Sequence, residues 1–187
     1  MRKIRLIACV VALSTGCTIT DEESITLDVT APNLTIMVNN KIAYSNLHSN
    51  WQPISCDDGT IPGFVPDGSG TQGVTVPLDE DLLTPVFPVD IEVLAGDPGS
   101  GIRRIRVVTP PGPVTSDDAQ ATSYGQSFSE VLKNYVPPYA SARAITYRYS
   151  QQNTSKIRHD FQARDGANPW HEYRFQIDIA PESDVCP

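Results

Sequence analysis

The sequence predicts an all-β protein built as an antiparallel β-sandwich, and three observations support that prediction. Residues 89–108 have the pattern strand, Gly/Pro-rich turn, strand, and residues 156–179 repeat it around a second turn. The 16 prolines and 12 glycines are spread along the chain without a period, which favours short strands over long helices. Hydrophobic residues make up 40% of the 187 residues, which is enough for one packed core.

Alternation of apolar and polar residues places the individual strands. It predicts strands at 25–29, 34–38, 41–44, 74–76, 86–94, 102–109, 142–150, 156–163 and 172–179. Segment 127–134, SFSEVLKN, predicts two helical turns, because Ser127 and Glu130 have the spacing of a capping box. Residues 45–73 have no such period and predict a long loop, which is the first place to expect a binding surface.

The N-terminus has the parts of a secretory signal. Arg2, Lys3 and Arg5 precede an apolar run at 6–13 that is too short to span a bilayer. The segment LSTGC at 13–17 resembles the lipobox of bacterial lipoproteins, although that family prefers Leu at the position of Ser14. An ordinary signal peptide that contains a cysteine is the alternative interpretation.

The lipobox resemblance implies that residues 1–16 are removed, that Cys17 is lipidated and that residues 17–24 form a lipidated tether. Several acyl chains on one residue give stable membrane attachment. The protein is then expected to be lipid-anchored in the cell envelope. Thr18, rather than Asp, follows the cysteine, which in Gram-negative members of the family favours the outer membrane.

The four cysteines divide cleanly once this resemblance is accepted. Cys9 leaves with the signal peptide and Cys17 takes lipid, so Cys56 and Cys186 remain as a pair in an oxidising compartment. We therefore expect a Cys56–Cys186 disulfide that attaches the C-terminus to the N-terminal third of the chain. Two distant cysteines and scattered histidines are too few ligands for a zinc site.

The two Gly/Pro-rich turns resemble those of bacterial immunoglobulin-like domains. AGDPGSGI at 95–102 resembles the Ala-x-Asp-x-x-Ser-Gly-Ile turn of that family, and ARDGAN at 163–168 resembles its Ala-x-Asp-x-x-Gly-Asn turn, without the Gly before Asn. The resemblance covers residues 85–180. It implies an immunoglobulin-like sandwich core at 85–187, preceded by N-terminal strands and a long loop at 25–84. The motifs indicate a fold and imply no activity.

Asp97 and Asp165 occupy these two similar turns and are the candidate metal ligands. Calcium takes six to eight oxygen ligands, which carboxylates and loop carbonyls can supply. Aspartate also caps turns without a metal, and the chain has no EF-hand spacing. The expectation is therefore a domain without a required cofactor, with calcium as the open alternative.

Two segments partly match known catalytic or nucleotide-binding motifs, but the predicted secondary structure around them does not fit those motifs. GSGTQG at 68–73 matches G-x-G-x-x-G, but no hydrophobic strand precedes it and no helix follows. His171 and Glu172 begin an H-E-x-x-H pattern that lacks its second histidine and lies in a predicted strand. His159 lies on the apolar side of its strand and is expected to be a core residue. The protein is therefore not expected to be an enzyme.

The net charge and the aromatic residues indicate which classes of partner the protein can bind. The formal net charge of −8 disfavours nucleic acid, because phosphate backbones bind basic surfaces. Trp51, Tyr135, Tyr139 and Trp170 lie in predicted loops and are the candidate binding surface.

The leading hypothesis is a non-catalytic binding or structural module of the cell envelope. It would bind the membrane through its lipid and an unidentified envelope or surface protein through its loops. The alternatives are a carbohydrate- or calcium-binding accessory module and an enzyme without a recognisable motif.

Overall fold

Ten strands and one short helix make up the described part of the chain. The computed structural model describes residues 28–66, 68, 71–78, 86–109, 120–124, 128–152 and 156–186. The elements are β1 Asn33–Val38, β2 Lys41–Ser45, β3 Gly73–Leu78, β4 Val86–Gly96, β5 Ile102–Thr109, β6 Gln120–Tyr124, β7 Phe128–Asn134, β8 Ala142–Gln152, β9 Ile157–Asp165, β10 Glu172–Pro181 and α1 Glu182–Val185.

The strands form two sheets. One has the order β2-β1-β4-β8 and the other the order β3-β10-β9-β5-β7-β6. All neighbours are antiparallel except β3, which pairs with β10 in parallel. The strands β1–β3 of the N-terminal region therefore belong to the same two sheets as the strands that follow them.

This strand order is that of an immunoglobulin-like β-sandwich, which confirms the predicted fold class. Strands β1, β4 and β8 correspond to A, B and E of that fold, and β5, β9 and β10 to C, F and G. Strands β7 and β6 extend the second sheet beyond β5. The β9·β10 ladder joins two consecutive strands as a hairpin, and the β4·β8 ladder joins two strands that are distant in sequence.

The core lies between the two sheets. Every second residue of β9 is buried from His159 onward, and the alternate residues are partly exposed. Phe161, Leu34 and Ile145 are among the fully buried side chains that fill the space between the sheets. This alternation is the one that the sequence predicts, because successive side chains of a strand point to opposite faces.

His159 is a core residue, as predicted. It is fully buried, and its Nδ1 lies 3.0 Å from the hydroxyl oxygen of Tyr147. Burial lowers the pKa of His159 to about 3, although the charge of Asp178 acts in the opposite direction. The imidazole is therefore neutral at pH 7 and serves packing rather than proton transfer.

The predicted helix at 127–134 is wrong. Residues Phe128–Asn134 form strand β7, which pairs antiparallel with β5 over Arg104–Thr109 and with β6 on its other side. The local capping pattern is overridden because a strand here gains two ladders of backbone hydrogen bonds. Strand β6 was not predicted. The strand predicted at 25–29 is wrong for Asp28 and Val29, which belong to no strand, and residues 25–27 lie outside the described part.

The predicted disulfide is present and attaches the long loop to the C-terminus. Cys56 and Cys186 are bonded across a sequence separation of 130 residues. Cys56 is buried, and its backbone also closes a tight turn with Thr60. Between β2 and β3 the described residues contain no strand or helix, which confirms the long loop there.

The single helix of the described residues is short. It comprises Glu182–Val185 and carries Cys186 at its C-terminal end. Within these ranges, no helix has the length and apolar content to cross a bilayer. Residues 1–27, which include the predicted signal peptide, Cys17 and the tether, lie outside the described part.

Candidate functional site

Several chain segments meet at one end of the sandwich. Asp97 directly follows β4, Asp165 is the last residue of β9, and Asp28 lies shortly before β1. Backbone hydrogen bonds join these segments, from the amide of Gly166 to the carbonyl of Gly101 at 2.9 Å and from the amide of Asp97 to the carbonyl of Ser141 at 2.7 Å. The segments at this end therefore hold each other in place.

Three carboxylates converge here. One oxygen from each of Asp28, Asp97 and Asp165 lies within 4.8 Å of the others. Asp97 and Asp165 are buried, with exposed fractions of 1% and 0%, whereas Asp28 is half-buried. We call these three residues the aspartate cluster.

Asp97 has one oxygen that is bonded and one that is not. Its Oδ1 accepts hydrogen bonds from the amides of Gly99 at 2.7 Å and Ser100 at 3.0 Å. Its Oδ2 is buried, and no hydrogen-bond donor of the described residues contacts it. The hydroxyl oxygen of Ser100, in the same turn, is also buried without a hydrogen-bond partner in the described chain. Two buried oxygens thus have unused capacity beside the cluster.

Asp28 is held against the β4–β5 turn. Its Oδ2 accepts a hydrogen bond from the amide of Ser100 at 3.1 Å, and its Oδ1 accepts from the amide and hydroxyl of Thr30. A Cβ atom on Gly99 would lie 2.6 Å from Asp28 Oδ2. Glycine is therefore required at 99 for this carboxylate to approach the turn.

Asp165 is held by the loop between β9 and β10. Its Oδ1 accepts hydrogen bonds from the amides of His171 at 2.8 Å and Ala167 at 3.2 Å. Its Oδ2 lies 2.7 Å from Nδ1 of His171. Carboxylates that bind metals are commonly oriented by such surrounding hydrogen bonds.

A second glycine lets the loops come together. Gly101 has φ +73°, and a Cβ atom there would lie 2.7 Å from the carbonyl oxygen of Tyr139. The left-handed backbone and the close carbonyl together exclude other residues without strain. Glycine 101 therefore sets the path of the turn that carries Asp97 and Ser100.

The electrostatics of the cluster are unfavourable without a partner. Burial raises the pKa of Asp97 above its ordinary value, and repulsion from Asp28 adds to that effect. Burial acts in the same direction on Asp28, but hydrogen bonds from Thr30 and Ser100 outweigh it and lower the pKa of Asp28 to about 2. At neutral pH, a bound cation or a proton on Asp97 would relieve the repulsion.

The donor set fits calcium. Within the described part of the chain, the candidate ligand atoms are oxygens of three carboxylates and of the Ser100 hydroxyl, and hard cations prefer such ligands. A carboxylate has about four lone-pair sites, so oxygens that accept one hydrogen bond can still bind a metal. Zinc is a poorer fit, because the one nearby nitrogen, Nδ1 of His171, is engaged with Asp165.

The sequence predicted two members of this cluster and missed the third. Asp97 and Asp165 were candidates because they occupy similar turns, and the structure brings them together. Asp28 was assigned to the polar side of a predicted strand. No local signal in its neighbourhood distinguishes it, since its proximity to Asp97 follows from where β1 lies in the first sheet.

The four candidate aromatic residues differ in how far they are exposed, and two of them, Trp51 and Tyr135, pack against the core. Trp51 packs edge-on against Tyr44, with ring centroids 5.2 Å apart. Tyr135 lies partly buried against the core, and its hydroxyl donates to the carbonyl of Ala144. Tyr139 lies half-buried beside the aspartate cluster, where its ring covers Gly166.

Trp170 is the most exposed of the four. Its exposed fraction is 47%, and the guanidinium of Arg164 stacks on its indole ring at 3.6 Å from the centroid. Among the described residues, no ring contact joins any two of the four. A shared binding surface formed by these side chains stays a prediction.

Comparison with known proteins gives no family. No family model matches the chain, and no curated protein matches it. Among solved structures, the chain is similar to a non-cellulosomal cohesin from the hyperthermophilic archaeon Archaeoglobus fulgidus. That similarity has a TM-score of 0.27 at 9% identity and covers 61% of this chain and 90% of the cohesin.

Two further solved structures are similar. The N-terminal domain of PorA has a TM-score of 0.31 at 10% identity and covers 78% of this chain and 96% of its own. The ASH/PapD-like domain 7 of human CEP192 has a TM-score of 0.26 at 9% identity, and the similarity covers 59% of this chain and 81% of the CEP192 domain.

The strand order and the cluster together define the class of this protein. It is an immunoglobulin-like β-sandwich with a buried aspartate cluster at the end where β4 and β9 finish.

Proposed function

We propose that this protein is a lipid-anchored, non-catalytic binding module of the cell envelope whose sandwich binds calcium at the aspartate cluster. The observation that supports the metal is the buried Oδ2 of Asp97, which no hydrogen-bond donor of the described residues contacts. The Asp97 carboxylate has one oxygen within 4.8 Å of a carboxylate oxygen from each of Asp28 and Asp165. An ion there would bridge the segment before β1, the β4–β5 turn and the end of β9.

Calcium in this position has a structural role. The three aspartates come from segments that are distant in sequence, so an ion joining them stabilises the folded chain and does not bind the unfolded one in the same way. Immunoglobulin-like sandwiches place their loops at the two ends, where partners bind. A calcium ion at one end would therefore make the loops of that end rigid before a partner arrives.

Calcium is expected to raise the melting temperature of the full-length chain. At a free calcium concentration of 100 times the Kd, the stabilisation is about 2.7 kcal/mol, or roughly 5 to 10 °C for a chain of this size. The measurement is thermal unfolding at neutral pH in millimolar calcium and in chelator. Magnesium at the same concentration serves as control and should have a smaller effect, because it keeps its water shell. Equal melting curves in calcium and chelator would remove the metal from the proposal.

The membrane attachment rests on the lipobox resemblance of residues 13–17. A lipid on Cys17 would attach the sandwich to the membrane through the predicted tether at 17–24. The tether is followed in sequence, a few residues later, by Asp28. In that arrangement the calcium site lies at the end of the sandwich where the tether enters.

Replacing Cys17 with serine is expected to abolish lipid attachment. Cells that express the full-length chain and are fed labelled palmitate should yield labelled protein in the membrane fraction, and Cys17→Ser should be unlabelled. Cys9→Ser is the matched control, because that cysteine lies in the predicted signal peptide and should leave labelling unchanged. Label that persists in Cys17→Ser would contradict the anchor and leave the calcium site unaffected.

A further inference from the structure

A second feature lies on the outer face of the six-stranded sheet, away from the core. Strands β5, β9 and β10 are adjacent there, and their outward side chains form three rows across the sheet. The rows are Arg104, Arg164 and Glu172; then Arg106, Gln162 and Arg174; then Val108, Asp160 and Gln176. We call this surface the arginine face.

The arginine face is basic on an acidic protein. Its three rows hold four arginines, one glutamate and one aspartate, whereas the whole chain has a net charge of −8. Neighbouring strands are about 4.8 Å apart and successive outward residues about 6.8 Å apart, so the backbone positions of the four arginines lie within one small patch. Such a patch attracts anions despite the acidic remainder of the surface.

The arrangement is costly for the protein itself. Arg104 and Arg164 lie directly opposite each other in the ladder, and like charges in that position destabilise a sheet. Glu172 lies 3.4 Å from Arg104 and also pairs with Arg174, so one carboxylate serves two guanidinium groups. The Nε of Arg164 is buried and contacts no hydrogen-bond acceptor of the described residues. A bound anion would offset the repulsion between Arg104 and Arg164.

A polar cavity opens on the same face. Its volume is about 270 Å³, and it lies over the second and third rows beside the chain that leads into β3. Its polar lining comprises Thr71, Arg106, Asp160, Gln162, Arg174 and Gln176. These side chains include hydroxyl, amide, carboxylate and guanidinium groups, so the cavity offers both donors and acceptors.

We propose that the arginine face binds an acidic oligosaccharide of the uronic-acid class. The arginines bind the sugar carboxylates through paired N–H donors, and the amide, hydroxyl and carboxylate groups of the cavity bind sugar hydroxyls. This proposal names the ligand of the binding module, so it rests on the part of the proposed function that describes the protein as a binding module. It requires neither the calcium ion nor the lipid anchor.

The surroundings favour a sugar over other anions. Sugar hydroxyls both donate and accept hydrogen bonds, which matches the mixed lining of the cavity. Trp170, stacked on Arg164 at the edge of the first row, adds an exposed ring of the kind that packs on sugars. A peptide ligand would instead need apolar pockets for its side chains.

The test is calorimetric titration of the full-length chain with hexagalacturonate. Binding is expected at low salt, is expected to weaken as salt is added, and should not occur with a neutral glucose hexasaccharide. Arg174→Ala and Arg106→Gln should each weaken binding about tenfold or more, because each removes a charged hydrogen-bonding group. Titrations run in chelator should give the same result, so failure here leaves the calcium proposal standing.

Arg148→Ala is the matched control. Arg148 and Arg174 have exposed side-chain fractions of 60% and 61%, and each pairs with one carboxylate, but Arg148 lies on β8 in the other sheet. It should leave binding unchanged. No binding of hexagalacturonate at low salt would overturn the proposal, as would an equal loss in Arg148→Ala. Tighter binding of polyglutamate or of an oligonucleotide would overturn the sugar assignment. If Arg106→Gln does not fold, the exposed Arg174 decides the test.

Discussion

Replacing Cys56 and Cys186 together with serine is expected to lower the free energy of unfolding by about 5 kcal/mol. The bond closes a loop of 130 residues, and the entropy that such a bond removes from the unfolded chain grows with loop length. Since whole domains are stable by about 5 to 15 kcal/mol, the double variant should unfold near or below physiological temperature. Urea denaturation of the full-length chain, monitored by circular dichroism, measures the change.

The reduced wild-type chain is the matched control for this variant. Dithiothreitol should destabilise the wild-type chain by the same amount and should leave Cys56→Ser/Cys186→Ser unchanged. A loss below about 1 kcal/mol would mean that the loop at 45–73 is held by other contacts, such as the packing of Trp51 on Tyr44. A double variant that still responds to the reductant would mean that another cysteine pair forms in the chain.

Replacing Asp97 with asparagine is expected to have opposite effects with and without calcium. In chelator the variant should melt higher than the wild-type chain, because it removes a buried charge that lies beside Asp28 and Asp165. In millimolar calcium it should melt lower than the wild-type chain, because it loses a ligand and with it about 2.7 kcal/mol of calcium stabilisation at saturating ion. Thermal unfolding of both proteins under both conditions measures this crossover.

The control for this prediction is Asp57→Asn. Asp57 is an exposed carboxylate in the long loop, so its removal changes the net charge equally and leaves the cluster intact. It should respond to calcium as the wild-type chain does. Should Asp97→Asn keep a full calcium response, the ion binds elsewhere.

Asp97 and Asp28 are expected to make the stability of the calcium-free chain depend on pH. The pKa of Asp97 is raised in the folded chain, so its protonated form is favoured on folding, and stability falls as pH rises from 3.8 through the raised value. The pKa of Asp28 is lowered to about 2, so its contribution is present above 3.8 and is lost as pH falls towards 2. A calcium-free stability maximum on the acidic side of neutrality, which Asp97→Asn removes, is the expected profile.

Local patterns predicted most of the sandwich. The alternation at 172–179 and the turns at 95–102 and 163–168 specify strands and corners through side-chain period and turn chemistry, which act over a few residues. Strand β7 shows the limit of such signals. Its capping pattern is local, but its pairing with β5 and β6 depends on segments that are distant in the sequence.

The residues of the candidate sites also fall into two groups, those that local sequence signals predict and those that the fold brings together. The turn motifs at 95–102 and 163–168 place Asp97 and Asp165 in similar turns, and the lipobox resemblance leaves Cys56 and Cys186 as a pair. Both signals lie in short segments, so they can be recognised without the fold. The position of Asp28 beside the two aspartates, and of four arginines from three strands on one face, is visible only in the folded chain. Sheet register places those residues together, and register is set by the packing of the whole core rather than by any one segment.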